Sequence, residues 1–151
     1  MIEVHDLCRR YGAFQAVRDV SFAIGDREIV GLLGHNGAGK TTVMKMLTGY
    51  LEPDSGGIRI DGLDPAERRR ETQRRIGYLP ENCPLYPELT VLETLLFQAG
   101  LRGIPRDRQP AAIRRAVERT ALGDKAGAAV GTLSRGYRQR LGVAQAIPIH
   151  Q

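Results

Sequence analysis

Apolar and polar positions alternate from Ile2 to Cys8 and again from Val17 to Ile24, a period of two that predicts two strands. The run Ile29 to Leu33 is apolar without alternation, as expected of a strand covered on both faces. A glycine-rich turn follows at once. From Gly39 to Tyr50 the apolar positions Val43, Met46 and Leu47 recur at helical spacing, so strand, glycine turn and helix come in immediate succession. Asp54-Ser55-Gly56-Gly57 predicts a turn, Ile58-Arg59-Ile60 a short strand and Asp61-Gly62 a strand-joining turn. Pro65 suits a first helical turn, opening a charged helix through about Arg75. Ile76-Gly77-Tyr78-Leu79 predicts a buried strand stopped by Pro80. Beyond it the texture changes. Three helical stripes are expected, one of Val91, Leu92, Leu95 and Leu96, one of Ile113, Val117 and Ala121, and one of Leu141, Ala144 and Gln145. Pro148 is expected to stop the last helix.

This pattern changes little when composition is added. The 151 residues suffice for one domain of ordinary size, and 42% hydrophobic with 26% charged residues excludes a disordered chain. No apolar run reaches bilayer length, and Met1 to Asp6 lacks a signal-peptide pattern, so a cytoplasmic chain is expected. Cys8 and Cys83 form no CxxC, and His5, His35 and His150 have no ligand spacing, so neither a disulfide framework nor a zinc site is indicated. The net charge of +5 is concentrated in two runs, Arg68 to Arg75 and Arg135 to Arg140. Such runs fit solvated helix faces better than a nucleic-acid surface.

One segment carries chemistry. Gly34-His35-Asn36-Gly37-Ala38-Gly39-Lys40-Thr41 meets GxxxxGK[ST] at every fixed position and lies between the predicted strand and helix. Glycines are required because successive backbone N–H groups must curl inward around phosphate oxygens, where side chains would obstruct them. The helix start adds its positive dipole end and unpaired amides. Lys40 can then bridge the β- and γ-phosphates, Thr41 offers a hydroxyl to Mg²⁺, and Thr42 stands next for an α-phosphate contact.

Leu133-Ser134-Arg135-Gly136-Tyr137 with Arg140 following resembles the signature of ABC-transporter ATP-binding subunits, usually LSGGQ, with Arg135 and Tyr137 as departures. Those departures are similar to the exporter-type ATPases of the multidrug, gliding-motility and copper-maturation groups. Tyr11-Gly12, Pro53-Asp54-Ser55-Gly56 and Ile76 to Glu81 agree with the family as well. The resemblance implies an α/β P-loop ATPase with an antiparallel β-subdomain and an α-helical subdomain, divided as 1–82 and 83–147. It implies ATP and Mg²⁺ as ligands, Tyr11 stacked on adenine, and Glu81 at the position of a metal-contacting glutamine, with Lys40 and Glu81 serving catalysis. It further implies a head-to-tail homodimer in which Ser134 and Gly136 of one copy face the γ-phosphate held by the other. A transmembrane permease subunit would dock on the helical part, placing the protein peripherally on the inner face of the cell membrane, and no nucleic-acid partner is expected.

The family's next element is an apolar strand ending in Asp-Glu, and no stretch of the sequence offers four apolar residues followed by that pair. The expectation is therefore a chain incomplete at its C-terminus, belonging to a longer ATPase and itself nearly inactive. Two other readings remain open, a soluble nucleic-acid-linked ABC ATPase and a non-catalytic nucleotide-binding module.

Overall fold

A computed structural model describes residues 1–147. The chain divides into two units, with the division falling between Arg75 and Ile76. It falls earlier than the 82/83 division implied by the family resemblance, because Leu79 and Cys83 pack on Gly142 in the second unit.

The first unit is built on an antiparallel sheet of order β2-β1-β3. Strands β1 (Ile2–Tyr11) and β2 (Phe14–Ile24) form a hairpin whose last pair is Tyr11 with Phe14. Both strands run further than their alternation predicted, because Gly12 at φ 57° makes the tight connection. Strand β3 (Ser55–Ile60) pairs with β1 from Cys8↔Ser55 to Ile2↔Ile60. Ser55, Gly56 and Gly57, expected in a turn, are thus part of the strand, since β1 offers them a ladder. A register shift lies between Val4 and Leu7, where Asp6 at φ 48° donates its amide to Ser21 Oγ at 2.8 Å. Val4, Leu7, Val17, Ile58 and Ile60 bury their side chains, as do Val43, Met46 and Leu47 of helix α1 (Lys40–Leu47). Helix α1 ends earlier than Tyr50 because Thr48 Oγ1 donates to Met44 O and Gly49, at φ 71°, donates to Met46 O. Helix α2 (Arg69–Arg75) begins later than Pro65, since Asp64 first accepts the amides of Ala66 and Arg68 in a turn.

Two predicted strands are absent. Ile29–Leu33 joins no ladder among the described residues, and Ile29 and Leu33 are 103% and 93% exposed. Ile76–Leu79 is irregular and half-buried. An apolar run becomes a central strand only where neighbouring strands supply hydrogen bonds and cover, which pattern alone does not reveal.

The second unit is helical, with α3 (Val91–Leu101), α4 (Gln109–Arg119) and α5 (Arg135–Ala146). Thr90 and Glu93 form a reciprocal capping box that sets the start of α3. Val91, Leu95, Ile113, Ala116, Leu122, Leu133, Leu141 and Ala144 share one core. The stripe expected on α3 is corrected: Val91, Thr94, Leu95 and Ala99 are buried, whereas Leu92 and Leu96 are exposed. Thr94 can enter the core because its hydroxyl donates to Thr90 O at 2.9 Å. Ala121 is exposed with φ 51°, and Leu122 takes the core position instead. The stripe Leu141, Ala144 and Gln145 is buried as expected, and the stop at Pro148 lies outside the described residues.

Candidate nucleotide site

The glycine-rich turn closes on itself through backbone and lysine contacts. Ala38 donates its amide to His35 O at 3.2 Å, and Gly37 at φ 86° and Gly39 at φ 83° hold the left-handed conformations that turn the chain into α1. Gly39 has a second constraint, because a Cβ there would collide with the carbonyl oxygen of Ala16 on β2. That contact seats the start of α1 directly on the hairpin. Gly39 is the N-cap and offers no side-chain hydrogen bond to the first turn. The first intrahelical bond runs from Val43 N to Gly39 O at 2.9 Å, so the amides of Lys40, Thr41 and Thr42 have no carbonyl inside the helix to bond. No acidic residue occupies this turn, so nothing opposes an anion there.

Lys40 folds back over the loop, its Nζ donating to Gly34 O at 2.6 Å and His35 O at 2.7 Å. An ammonium has three donors, and these bonds use two of them. The loop from Gly34 to Ala38 is exposed, Thr41 is exposed and Thr42 half-buried. His35 Nδ1 lies 2.9 Å from the main-chain oxygen of Asn36. Uncapped amides, left-handed glycines and a lysine across the turn fit a phosphate chain, and an exposed Thr41 hydroxyl fits a hard divalent cation.

Tyr11 stands at the end of β1, 46% exposed, with the Arg9 guanidinium over its ring at 5.3 Å. It belongs to the same hairpin end as Ala16, against which Gly39 packs. Glu81 is exposed on a bend of the second unit. Ser134 caps α5, its Oγ accepting the amide of Tyr137 at 3.4 Å, with Gly136 in the first turn and no acidic residue nearby in that turn. The sites therefore group as Tyr11 with Gly34–Thr42 in the first unit, and Glu81, Ser134 and Gly136 in the second.

The family model described as ABC transporter matches residues 17–150. This chain belongs to the ABC transporter family, among its ATP-binding proteins. It is 40% identical over 147 residues to an uncharacterized ABC transporter ATP-binding protein, YxlF, of Bacillus subtilis strain 168, covering 97% of this chain and 48% of that protein. A solved structure of an ATP binding subunit of an ABC transporter is 31% identical with a TM-score of 0.86, covering 99% of this chain and 62% of that one. The CbiO1 protein of Clostridium perfringens, described as part of the ABC transporter complex CbiONQ, is 25% identical with a TM-score of 0.85 over 98% of this chain and 61% of its own. The chain spans about half the length of the curated relatives it matches. These neighbours share the α/β ABC ATPase fold, of which the antiparallel sheet and the helical unit are the parts described above.

The signature segment of this ABC protein has a support that its sequence did not disclose. Tyr137, where the usual signature has glutamine, donates its hydroxyl to Asp124 Oδ2 at 2.8 Å. That bond to a carboxylate raises the tyrosine's pKa. The Arg140 guanidinium and the Lys125 ammonium lie over the ring, 5.2 Å and 5.8 Å from its centroid. Arg140 also donates to Ala121 O at 3.2 Å. Arg140 follows Tyr137 at helical spacing on α5, whereas Asp124 and Lys125 come from a separate 3-10 turn.

Proposed function

We propose that the chain binds Mg-ATP at Gly34–Thr42 as the ATP-binding component of an ABC transport system. The observation that carries this reading is the first turn of α1, left uncapped by any side chain and bridged by Lys40. In this reading the amides from Gly37 to Thr42 hold the β-phosphate, Lys40 moves from its two carbonyls to bridge β- and γ-phosphate, and Thr42 contacts the α-phosphate. Thr41 would be an oxygen donor for Mg²⁺, which would neutralise charge on the phosphates when bound. Tyr11 stacks on the base, which its exposed ring permits.

Ser134 and Gly136 of a second copy would face the γ-phosphate in a head-to-tail dimer, supported by the acid-free start of α5. A permease subunit is proposed as partner at the cytoplasmic face of the membrane. An open groove between α3 and α4, lined by Leu92, Leu96, Ile113 and Val117, offers it an apolar seat. A nucleic-acid partner is disfavoured, since Arg68, Arg69 and Arg75 of the basic run pair with Glu71, Glu52 and Asp61.

Lys40→Ala removes the cation of the loop and should weaken ATP about ten- to a hundred-fold in calorimetry, as expected for loss of charge-assisted bonds. Unchanged affinity in a folded variant would contradict the assignment. Phosphoryl transfer depends on positioning and charge stabilisation, and the sequence offers no Asp-Glu pair to orient metal and water. Residues 1–151 alone should accordingly show no steady Mg-dependent turnover.

A further inference from the structure

Tyr11 does not stand alone at the hairpin end. Arg9 and Tyr11 lie two positions apart on β1, hence on one face of the strand, and the guanidinium sits 5.3 Å above the ring centroid. The guanidinium is itself fixed. Its Nη1 donates to Asp54 Oδ1 at 2.6 Å and to Glu52 O at 3.2 Å, while the other oxygen of Asp54 accepts the amide of Arg10 at 2.7 Å. Asp54 in turn donates its amide to Cys8 O at 2.9 Å, so the carboxylate is anchored to β1 by main-chain bonds on either side of Arg9. Stability alone is a poor reason for this arrangement. Arg9 Nε is buried and makes no hydrogen bond among the described residues, a cost that matches or exceeds what a partly exposed ion pair returns.

We infer that Arg9, held by Asp54, is a positioning residue for base recognition: it covers one face of Tyr11 and presents the opposite face to a purine. The inference rests on the proposal that Gly34–Thr42 holds the phosphates. Because Tyr11 pairs with Phe14, and Gly39 packs on Ala16 two residues further along β2, ring and phosphate loop share one stretch of hairpin. A cation on one face fixes the ring plane and leaves stacking to the other, so a freely rotating tyrosine is converted into a preformed platform.

The test is calorimetry of residues 1–151 with ATP and with inorganic tripolyphosphate, which carries the phosphates and no base. Arg9→Ala should weaken ATP about two- to five-fold, the loss of one exposed cation–π contact, and leave tripolyphosphate unchanged. In a Tyr11→Ala background the same substitution should cost nothing further. Arg9→Gln, close in length and able to hydrogen-bond Asp54, should repeat the ATP-selective loss if Arg9→Ala folds poorly. Equal loss for both ligands, an undiminished loss in the Tyr11→Ala background, or wild-type affinity for ATP would overturn the inference while leaving the phosphate site standing. Failure of the unsubstituted chain to bind either ligand would overturn the phosphate site and the inference with it.

Discussion

The starts of α1 and α5 are both glycine-containing helix N-termini without acidic residues, yet they are finished differently. At α1 the N-cap is a left-handed glycine with no side chain, and Lys40, the first residue of the helix, folds its ammonium back over the loop. At α5 the N-cap is Ser134, whose hydroxyl already takes one amide, and Tyr137 ties the first turn to Asp124. The first arrangement leaves every first-turn donor to a ligand and depends on backbone conformation to do so. The second is self-sufficient, with its geometry set before any anion arrives. An anion cradle that must wrap a phosphate needs the former, and a surface that only has to meet one from outside can be the latter.

The α1 start is most sensitive at Gly39. Gly39→Ala forces a Cβ into a left-handed position and against the Ala16 carbonyl, so it should lower unfolding free energy by about 2 kcal/mol or more in denaturant titration. A loss below a few tenths would mean that the turn relaxes freely. At α5 the cap is a side chain, so the effect is smaller and of another kind: Ser134→Ala should cost about 1 kcal/mol and Ser134→Gly only a few tenths. Equal costs for the two substitutions would remove Ser134 as the cap.

The smallest expected difference is in pH dependence. The Met1 amino group sits 2.7 Å from both Asp26 and Asp61, and these bonds raise its pKa from 8.0 to about 10. A raised folded pKa contributes stability that is whole below pH 8 and lost as pH climbs to about 10, so the first unit should weaken across that window. Tyr137 is also raised, by its bond to Asp124, so its contribution to the second unit is whole up to the ordinary tyrosine pKa of 10.0 and is lost only above it. Denaturation midpoints followed at pH 7, 9 and 10.5 by amide exchange in each unit should show this order; simultaneous loss would contradict it.

Much of the α1 site was legible because its requirements are local. The spacing of Gly34, Gly37, Gly39, Lys40 and Thr41 fixes a turn whose donors come from the backbone itself, and the observed φ values of Gly37 and Gly39 follow from that. Tyr11 was named through the family resemblance, but Arg9 and Asp54 were missed because their meeting depends on β1 pairing with β3. Tyr137 read as a departure from the usual signature, and its partners come from a turn that periodicity does not mark. Ile29–Leu33 misled for the opposite reason. Its apolar run has the composition of a central strand, but a strand is a property of its neighbours, and no described residue pairs with it.

Amide chemical shifts during titration of the chain with Mg-ATP show whether the uncapped amides of α1 hold phosphate. The largest shifts are expected at Gly37, Gly39, Lys40, Thr41 and Thr42, with the amides at the start of α5 unmoved in the monomer at low concentration. Shifts confined to other segments, with these five amides unchanged at saturation, would contradict it.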